Sequence, residues 1–274
     1  MSVTGSAAKR TGAAPHPAGR VARRAADTAR VLEARWAGVL PYASAERLQS
    51  GLVHARRSGG IPDQLLLLEH PHVITLGSAS DRSHVLVDAA ERLELGLDLI
   101  ECGRGGDVTY HGPGQLVGYP ILDLKPDRKD IHRYLRDLEE VLIRVARIYG
   151  IAGRRIPGAT GVWTDTGKLG AIGVRVSSGW ITSHGFALNV TTDLSYFDRI
   201  VPCGLAAERV TSLERLTGEI VSMPDVVQNT AEAFATVFGA ALRWAGAPAV
   251  PDADRRAPRR KTEPPRREAG TGPA

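Results

Sequence analysis

Three apolar runs in close succession most limit what this chain can fold into. Residues 161–164, 168–176 and 180–190 read as strands, and only Asp165-Thr-Gly and Ser177-Ser-Gly lie between them. Turns that short send a strand back on itself, so the last two runs form a hairpin. Parallel neighbours would need long crossovers, for which there is no room. The expected class is therefore α+β, with a mixed, mostly antiparallel sheet flanked by helices, not a doubly wound sheet.

The rest of the chain supplies the other elements. Residues 31–39 read as a first strand, and 42–57 as a helix with Tyr42, Ala45, Leu48, Leu52 and Ala55 along one side. Residues 64–69 hold four consecutive leucines between Gln64 and Glu69, as in a strand covered on both faces. A short strand follows at 73–76. Asp88 caps a short helix to Leu95, which Gly96 stops. Strands follow at 97–102, 108–111 and 115–124, with Pro120 pointing to an edge position or a bulge in the last. The best-patterned helix is 130–149, with Ile131, Leu135, Leu138, Leu142, Val145 and Ile148 as its stripe. Residues 222–244 read as one closing helix with Pro224 in its first turn.

The two ends differ from the middle. Residues 1–30 and 247–274 are rich in Ala, Gly, Pro and Arg and hold few large apolar side chains. They cannot bury enough surface to offset ordering entropy, so both are expected to be disordered tails around one folded domain, 31–246. The tails carry +5 and +3 of the net +5, which leaves the middle at −3. A nucleic-acid partner would need basic surface on folded structure, so none is expected. No apolar run approaches the roughly 18 residues that span a membrane, and no apolar segment follows the N-terminal arginines as in a secretory signal. No membrane association is expected, and the expected compartment is cytoplasmic. There Cys102 and Cys203 are free thiols.

Chemistry concentrates in a few places. Residues 104–120 hold five glycines among Arg104, Asp107, Thr109, Tyr110, His111 and Gln115. Glycines let backbone approach a ligand, and the polar side chains between them give direction, so this stretch reads as the wall of a ligand site. Cys102 ends an apolar strand and reads as a core thiol. Cys203 sits between Pro202 and Gly204, where it is either an incidental thiol or a nucleophile presented beside a backbone N–H. A nucleophilic thiol needs help to ionise. His70, His72, His111, His184 and Lys168 are the candidates, and each has a structural alternative. Lys168 opens the strand 168–176 and shares a face with Gly170, Ile172, Val174 and Val176. No GxxxxGK[ST] or GxGxxG phosphate cradle occurs. His70 and His72 lack a third ligand at recognisable spacing, so neither metal nor cofactor is expected.

These motifs also resemble a known family. The run from Arg104 to Leu122 is similar to the signature of the lipoyl (octanoyl) acyltransferases of protein lipoylation. Leu68-Glu-His-Pro71, Thr75-Leu-Gly77, Gly161-Val-Trp163, Lys168 to Gly173, His184-Gly-Phe-Ala-Leu-Asn189 and Pro202-Cys-Gly204 follow in the family's order. The resemblance covers about residues 40–240. It implies the fold of biotin and lipoate protein ligases, with 31–246 as the catalytic domain. It implies an octanoyl-[acyl-carrier-protein]:protein N-octanoyltransferase activity: transfer from octanoyl-acyl carrier protein to a lysine of lipoyl domains. The acceptors would be the E2 subunits of 2-oxoacid dehydrogenases and the glycine cleavage H protein. The family's thioester cysteine matches Cys203, and the lysine that ionises it matches Lys168. Its acyl-substrate contacts match Arg104, Gly105, Gly106, Asp107, Val108, Thr109, Tyr110 and His111, then Ala171, Ile172 and Gly173, then Gly185, Phe186 and Ala187.

Departures from the family pattern are few. Asp107 stands at a variable position, and residues 180–183 are one residue longer than in relatives. Arg154 and Arg155 are candidates for docking an acidic carrier protein. Six buried methylenes contribute roughly 5 kcal/mol, which favours eight carbons over four, but a wall is needed to reject sixteen. Two alternatives remain: an ATP-dependent lipoate or biotin ligase on the same fold, and a non-catalytic module that binds the acyl carrier or the lipoyl domain.

Overall fold

The computed structural model describes Met1, residues 30–201 and residues 209–246. The expected tails lie almost wholly outside these residues, and Cys203 lies outside them too. An eight-stranded sheet organises the rest. Its strands are β1 (Arg30–Val39), β2 (Asp63–Glu69), β6 (Gln115–Ile121), β7 (Arg154–Ile156), β8 (Ala159–Trp163), β9 (Lys168–Val176), β10 (Thr182–Asn189) and β11 (Ala240–Trp244). The order is β11-β1-β2-β6-β10-β9-β8-β7. β1 runs parallel to both β11 and β2, and the other pairs are antiparallel. A second sheet is formed by β3 (Val73–Leu76), β4 (Asp98–Glu101) and β5 (Val108–His111), with β3 in the middle.

Alternation along β2 divides the core. Leu65 and Leu67 enter a large cluster with α3 (Ile131–Ile148) and α5 (Met223–Phe238). Leu66 and Leu68 enter a smaller one with α1 (Tyr42–Arg57) on the opposite face. This is why the run reads as continuously apolar: both sides are covered. Caps follow their sequence signals. Asp88 accepts from the amide of Glu91 at the start of α2 (Ala89–Leu95), and Asp130 accepts from the amide of Arg133 at the start of α3. α2 and α5 each end on a left-handed glycine, Gly96 and Gly239.

Several expectations need correction. The closing helix stops at Phe238 rather than running to Trp244. Gly239 breaks it, and 240–244 becomes β11, whose pattern of Ala, Leu and Trp suits a strand beside β1. β7 and the short helix α4 (Leu213–Thr217) carry too little periodicity to be seen in sequence. In α3 the buried stripe is centred on Tyr134, Leu138, Val141, Leu142 and Val145, while Ile131 and Ile148 at its ends are exposed. Cys102 is half-buried rather than core, with its thiol 3.4 Å from the Leu76 carbonyl.

Pro120 is not on an edge. β6 is central, and Pro120 faces Leu65 of β2. The missing N–H is instead absorbed as a gap in the β6–β10 ladder. Pairing stops at Gly118 with Phe186 and resumes at Asp123 with Ile181, in the same register. Within the gap His184 adopts φ 54°, and its amide donates to Gln49 Oε1 of α1 at 2.8 Å. Thr182 fills the opening by donating from Oγ1 to the Pro120 carbonyl and accepting from the Leu122 amide.

Candidate active site

The glycine-rich stretch is docked on β9 by its backbone. Gly105 N–H donates to the Val174 carbonyl at 2.9 Å. The fit needs glycine at 173, where a Cβ would come within 2.9 Å of the Gly105 carbonyl oxygen, and is tight at 105, where a Cβ would lie 3.1 Å from the Val174 carbonyl oxygen. Arg104 is buried and hydrogen-bonds neutral oxygens: Thr75 O at 2.7 Å, Thr75 Oγ1 at 2.9 Å and Gly105 O at 3.1 Å. It makes no ion pair among the described residues, so it brings a positive charge to the site that no carboxylate cancels.

Between this stretch and the sheet lies a cavity of about 600 Å3. Its lining includes Arg104, Gly105, Gly106, Asp107, Val108, Thr109, His111, Lys168, Ala171, Ile172, Gly173, Gly185, Phe186 and Ala187. Tyr110 alone of the expected segments stands apart. Strand alternation sends it into the core of the small sheet, where it stacks on Tyr196 and its hydroxyl lies 2.8 Å from His72 Nδ1. Residues that sequence reading did not place in the lining include Tyr42, Tyr119, Leu135 and Gly158 to Thr160. Their signal was weak, because tyrosines at a helix start and on a buried strand read as ordinary core.

A hydrogen-bond chain fixes the polar side of the cavity. His111 Nδ1 lies 2.7 Å from Gln115 Oε1, Gln115 Nε2 donates to Asn189 Oδ1 at 2.9 Å, and Asn189 Nδ2 donates to the Thr211 carbonyl at 3.0 Å. Since Gln115 offers its oxygen, His111 carries its proton on Nδ1 and leaves Nε2 as an acceptor. Burial, with His70 close by, pushes the His111 pKa down to about 3, so it is neutral at ordinary pH. His70 is fixed likewise. Its Nδ1 donates to the Leu40 carbonyl at 2.6 Å, so its Nε2 accepts from the Tyr119 hydroxyl at 2.8 Å. Burial lowers its pKa to about 4, opposed by the Leu40 hydrogen bond.

Lys168 begins β9 at the cavity edge, half-buried, with Nζ 4.5 Å from the centre of the Trp163 ring. Its amide donates to the Arg209 carbonyl at 2.8 Å, and its carbonyl accepts from the Thr211 amide at 3.0 Å. The chain therefore re-enters the described region alongside Lys168. It leaves at Val201, whose amide donates to the His84 carbonyl, and His84 Nδ1 lies 2.6 Å from Asp107 Oδ2 on the lining. Both flanks of the segment that contains Cys203 are thus tied to the cavity rim. Arg154 pairs with Asp165, and Arg155 pairs with Glu139 and Glu140. Among the described residues no group of three or more His, Cys, Asp or Glu could hold a metal ion, and no helix is long and apolar enough to cross a membrane.

Residues 41–235 match the lipoyl protein ligase A/B catalytic domain family. An octanoyltransferase of Rubrobacter xylanophilus is 55% identical over 206 residues, covering 75% of this chain and 92% of that protein. The chain belongs to the octanoyltransferase family. It is accordingly an acyltransferase. An octanoyltransferase of Geobacter metallireducens is 49% identical over 197 residues, covering 72% of this chain and 89% of the relative. In three dimensions the chain is similar to lipoate-protein ligase A solved with ATP, at 17% identity and TM-score 0.63, over 81% of this chain and 90% of the other. A bipartite lipoate protein ligase of Thermoplasma acidophilum gives 20% identity and TM-score 0.62, over 80% and 88%. At such identities the structural likeness speaks for the fold alone, and it agrees with the α+β architecture described above.

Proposed function

We propose that this member of the octanoyltransferase family moves an octanoyl group from octanoyl-acyl carrier protein to lipoyl-domain lysines through a thioester on Cys203. The acceptors are the lipoyl domains of 2-oxoacid dehydrogenase E2 subunits and the glycine cleavage H protein. The observation that supports the mechanism is that residues 209–211, which follow the Cys203 segment, lie alongside Lys168 at the edge of the cavity, while Val201, which precedes it, is linked to the lining through His84 and Asp107.

In the first half-reaction the Cys203 thiol gives its proton to Lys168, and its sulfur attacks the thioester carbonyl. The C–S bond to the carrier breaks, and the carrier's thiolate recovers the proton from Lys168. One thioester replaces another, so little free energy is lost. In the second half-reaction the acceptor amine must be neutral, against a reference pKa of about 10.4. It attacks the acyl carbonyl and loses a proton to Lys168, and the Cys203 thiolate departs, leaving an amide. Arg104 to His111 (without Tyr110), Ala171 to Gly173 and Gly185 to Ala187 hold the acyl group. The cytoplasm is the proposed compartment.

The test is to incubate the protein with octanoyl-acyl carrier protein, digest it and read the mass of the Cys203 peptide. An octanoyl adduct on Cys203, lost in Cys203→Ser together with transfer to a lipoyl domain, is expected. Full transfer by Cys203→Ser would overturn the mechanism. Pyrophosphate release from ATP with free octanoate or lipoate would favour the ligase reading instead.

A further inference from the structure

The motif Gly161-Val-Trp163 has no task in the acyl-transfer reading. Trp163 is 7% exposed, yet it joins none of the three clusters of buried hydrophobic side chains among the described residues. Its Nε1 donates to the Ala159 carbonyl at 3.1 Å, which fixes the ring against its own strand. Over the face of that ring lies Lys168, with Nζ 4.5 Å from the ring centre. A buried tryptophan that stands outside the core and turns its face to an ammonium is placed for the charge.

Three backbone features bring the two side chains together. Trp163 and Lys168 pair across β8 and β9, so they stand side by side on one face. Between this pair and the Val162–Gly170 pair, two steps of β9 match one step of β8, a bulge of the kind that re-aims a side chain. Gly161 then leaves room for the lysine stem, since a Cβ there would lie 3.4 Å from Lys168 Cε and 2.6 Å from the Gly170 carbonyl oxygen. The ring attracts an ammonium through its negative face and accepts no directed hydrogen bond of the kind a carboxylate would take. It therefore holds the amine in place and leaves the three N–H donors to other partners. The attraction acts on the proton-carrying form of the lysine, the form between accepting a proton and releasing it.

We propose that Trp163 is the positioning residue of Lys168: its ring face holds the ammonium at the cavity edge, and Gly161 and the bulge of β9 shape the seat. This rests on the acyl-transfer reading above, in which Lys168 carries the proton in both half-reactions. Trp163 itself touches no reacting atom and acts through the lysine.

The experiment replaces Trp163 alone, in the full chain, by tryptophans carrying one to four ring fluorines. Fluorine drains charge from the ring face and barely changes its shape, so packing is kept while the attraction is weakened stepwise. Transfer from octanoyl-acyl carrier protein to a lipoyl domain should lose kcat with each fluorine, by about three- to tenfold across the series. KM for the carrier should stay within about twofold, and the unfolding midpoint should not move. Trp163→Phe should fall between the parent and Trp163→Leu. A kcat that does not respond to fluorination overturns the proposal. A second measurement is independent of the chemistry: NMR of the protein after reductive methylation with carbon-13, which labels its five lysines. The Lys168 methyl signal, identified by its loss in Lys168→Gln, should lie upfield through the ring current and return downfield in Trp163→Leu. A Lys168 signal at the position of solvent-exposed lysines overturns the seat. Full transfer by Lys168→Gln would instead sink the acyl-transfer reading, and the NMR shift would then uphold or overturn the seat by itself.

Discussion

Glu139 offers the sharpest test of how the cavity wall is held. It is 1% exposed on α3. One oxygen, Oε1, accepts from the buried amide of Gly161 at 3.2 Å, and the other, Oε2, meets Arg136 at 2.6 Å and Arg155 at 3.1 Å. It therefore pins the β7–β8 hairpin, whose residues 158–160 line the cavity, to α3. The two arginines are 53% and 35% exposed, so they rehydrate when the carboxylate is removed. Each such half-solvated pair is worth at most about 1 kcal/mol. Glu139→Gln keeps an acceptor for Gly161 and should cost about 1–2 kcal/mol. Glu139→Ala also strands the buried amide, which adds about 1–3 kcal/mol. In a domain this size each kcal/mol lowers Tm by about 2–4 °C, so the two variants should separate clearly in thermal or urea unfolding. A double-mutant cycle with Arg155→Met should return a coupling of less than about 1 kcal/mol in the same unfolding assay. Equal losses for the Gln and Ala variants would refute the reasoning, since they would mean that the charge, not the stranded amide, dominates.

Stability should also depend on pH through the buried imidazoles. Burial holds His70, His111 and His184 at about 4, 3 and 4, and Arg104 and Arg175 further lower His184. Unfolded histidine titrates near 6.5, so between about 6.5 and 4 the unfolded chain binds more protons than the native one. Their contribution is complete above about pH 6.5 and is lost as pH falls toward 4, and His111→Gln should flatten that slope in urea titrations at pH 7 and 4.5. Two glycines should respond differently to alanine. A Cβ at Gly239 meets nothing within 4 Å, so only its φ of 62° is strained, and Gly239→Ala should cost about 1–2 kcal/mol. A Cβ at Gly185 falls 2.2 Å from the Gly118 carbonyl oxygen and 2.5 Å from Pro120 Cδ, so Gly185→Ala should cost more than Gly239→Ala in the same denaturation assay.

Much of this fold is written locally, and those parts are legible in sequence. α1, β3 and β9 have their bounds in Pro41, Gly77 and the turn at Asp165-Thr-Gly, which act whatever lies around them. β11 is different. Residues 240–244 have no strand signal strong enough to beat the helix before them, and only the edge of β1 decides their state. Pro120 failed for a related reason: the rule that keeps proline off central strands assumes an intact ladder, and here Thr182 and Gln49 serve the groups a broken one exposes. Of the cavity, the glycine-rich wall was legible because so many glycines lie close together. Tyr42, Tyr119 and Leu135 were not, since lining residues and core residues look alike until a cavity is seen. Tyr110 shows the converse, where membership of a motif does not survive the period-two alternation of its own strand.

The cavity draws on both layers of the molecule. Tyr42 comes from α1 and Leu135 from α3, on opposite faces of the sheet. The glycines of β9 and β10 thin the partition that would otherwise keep those layers apart. A hydrocarbon tail seated there, as proposed, would take the place of core side chains and touch both hydrophobic clusters at once. On the proposed mechanism, then, the acyl group is a removable piece of the protein's own interior, which each catalytic cycle would empty and refill.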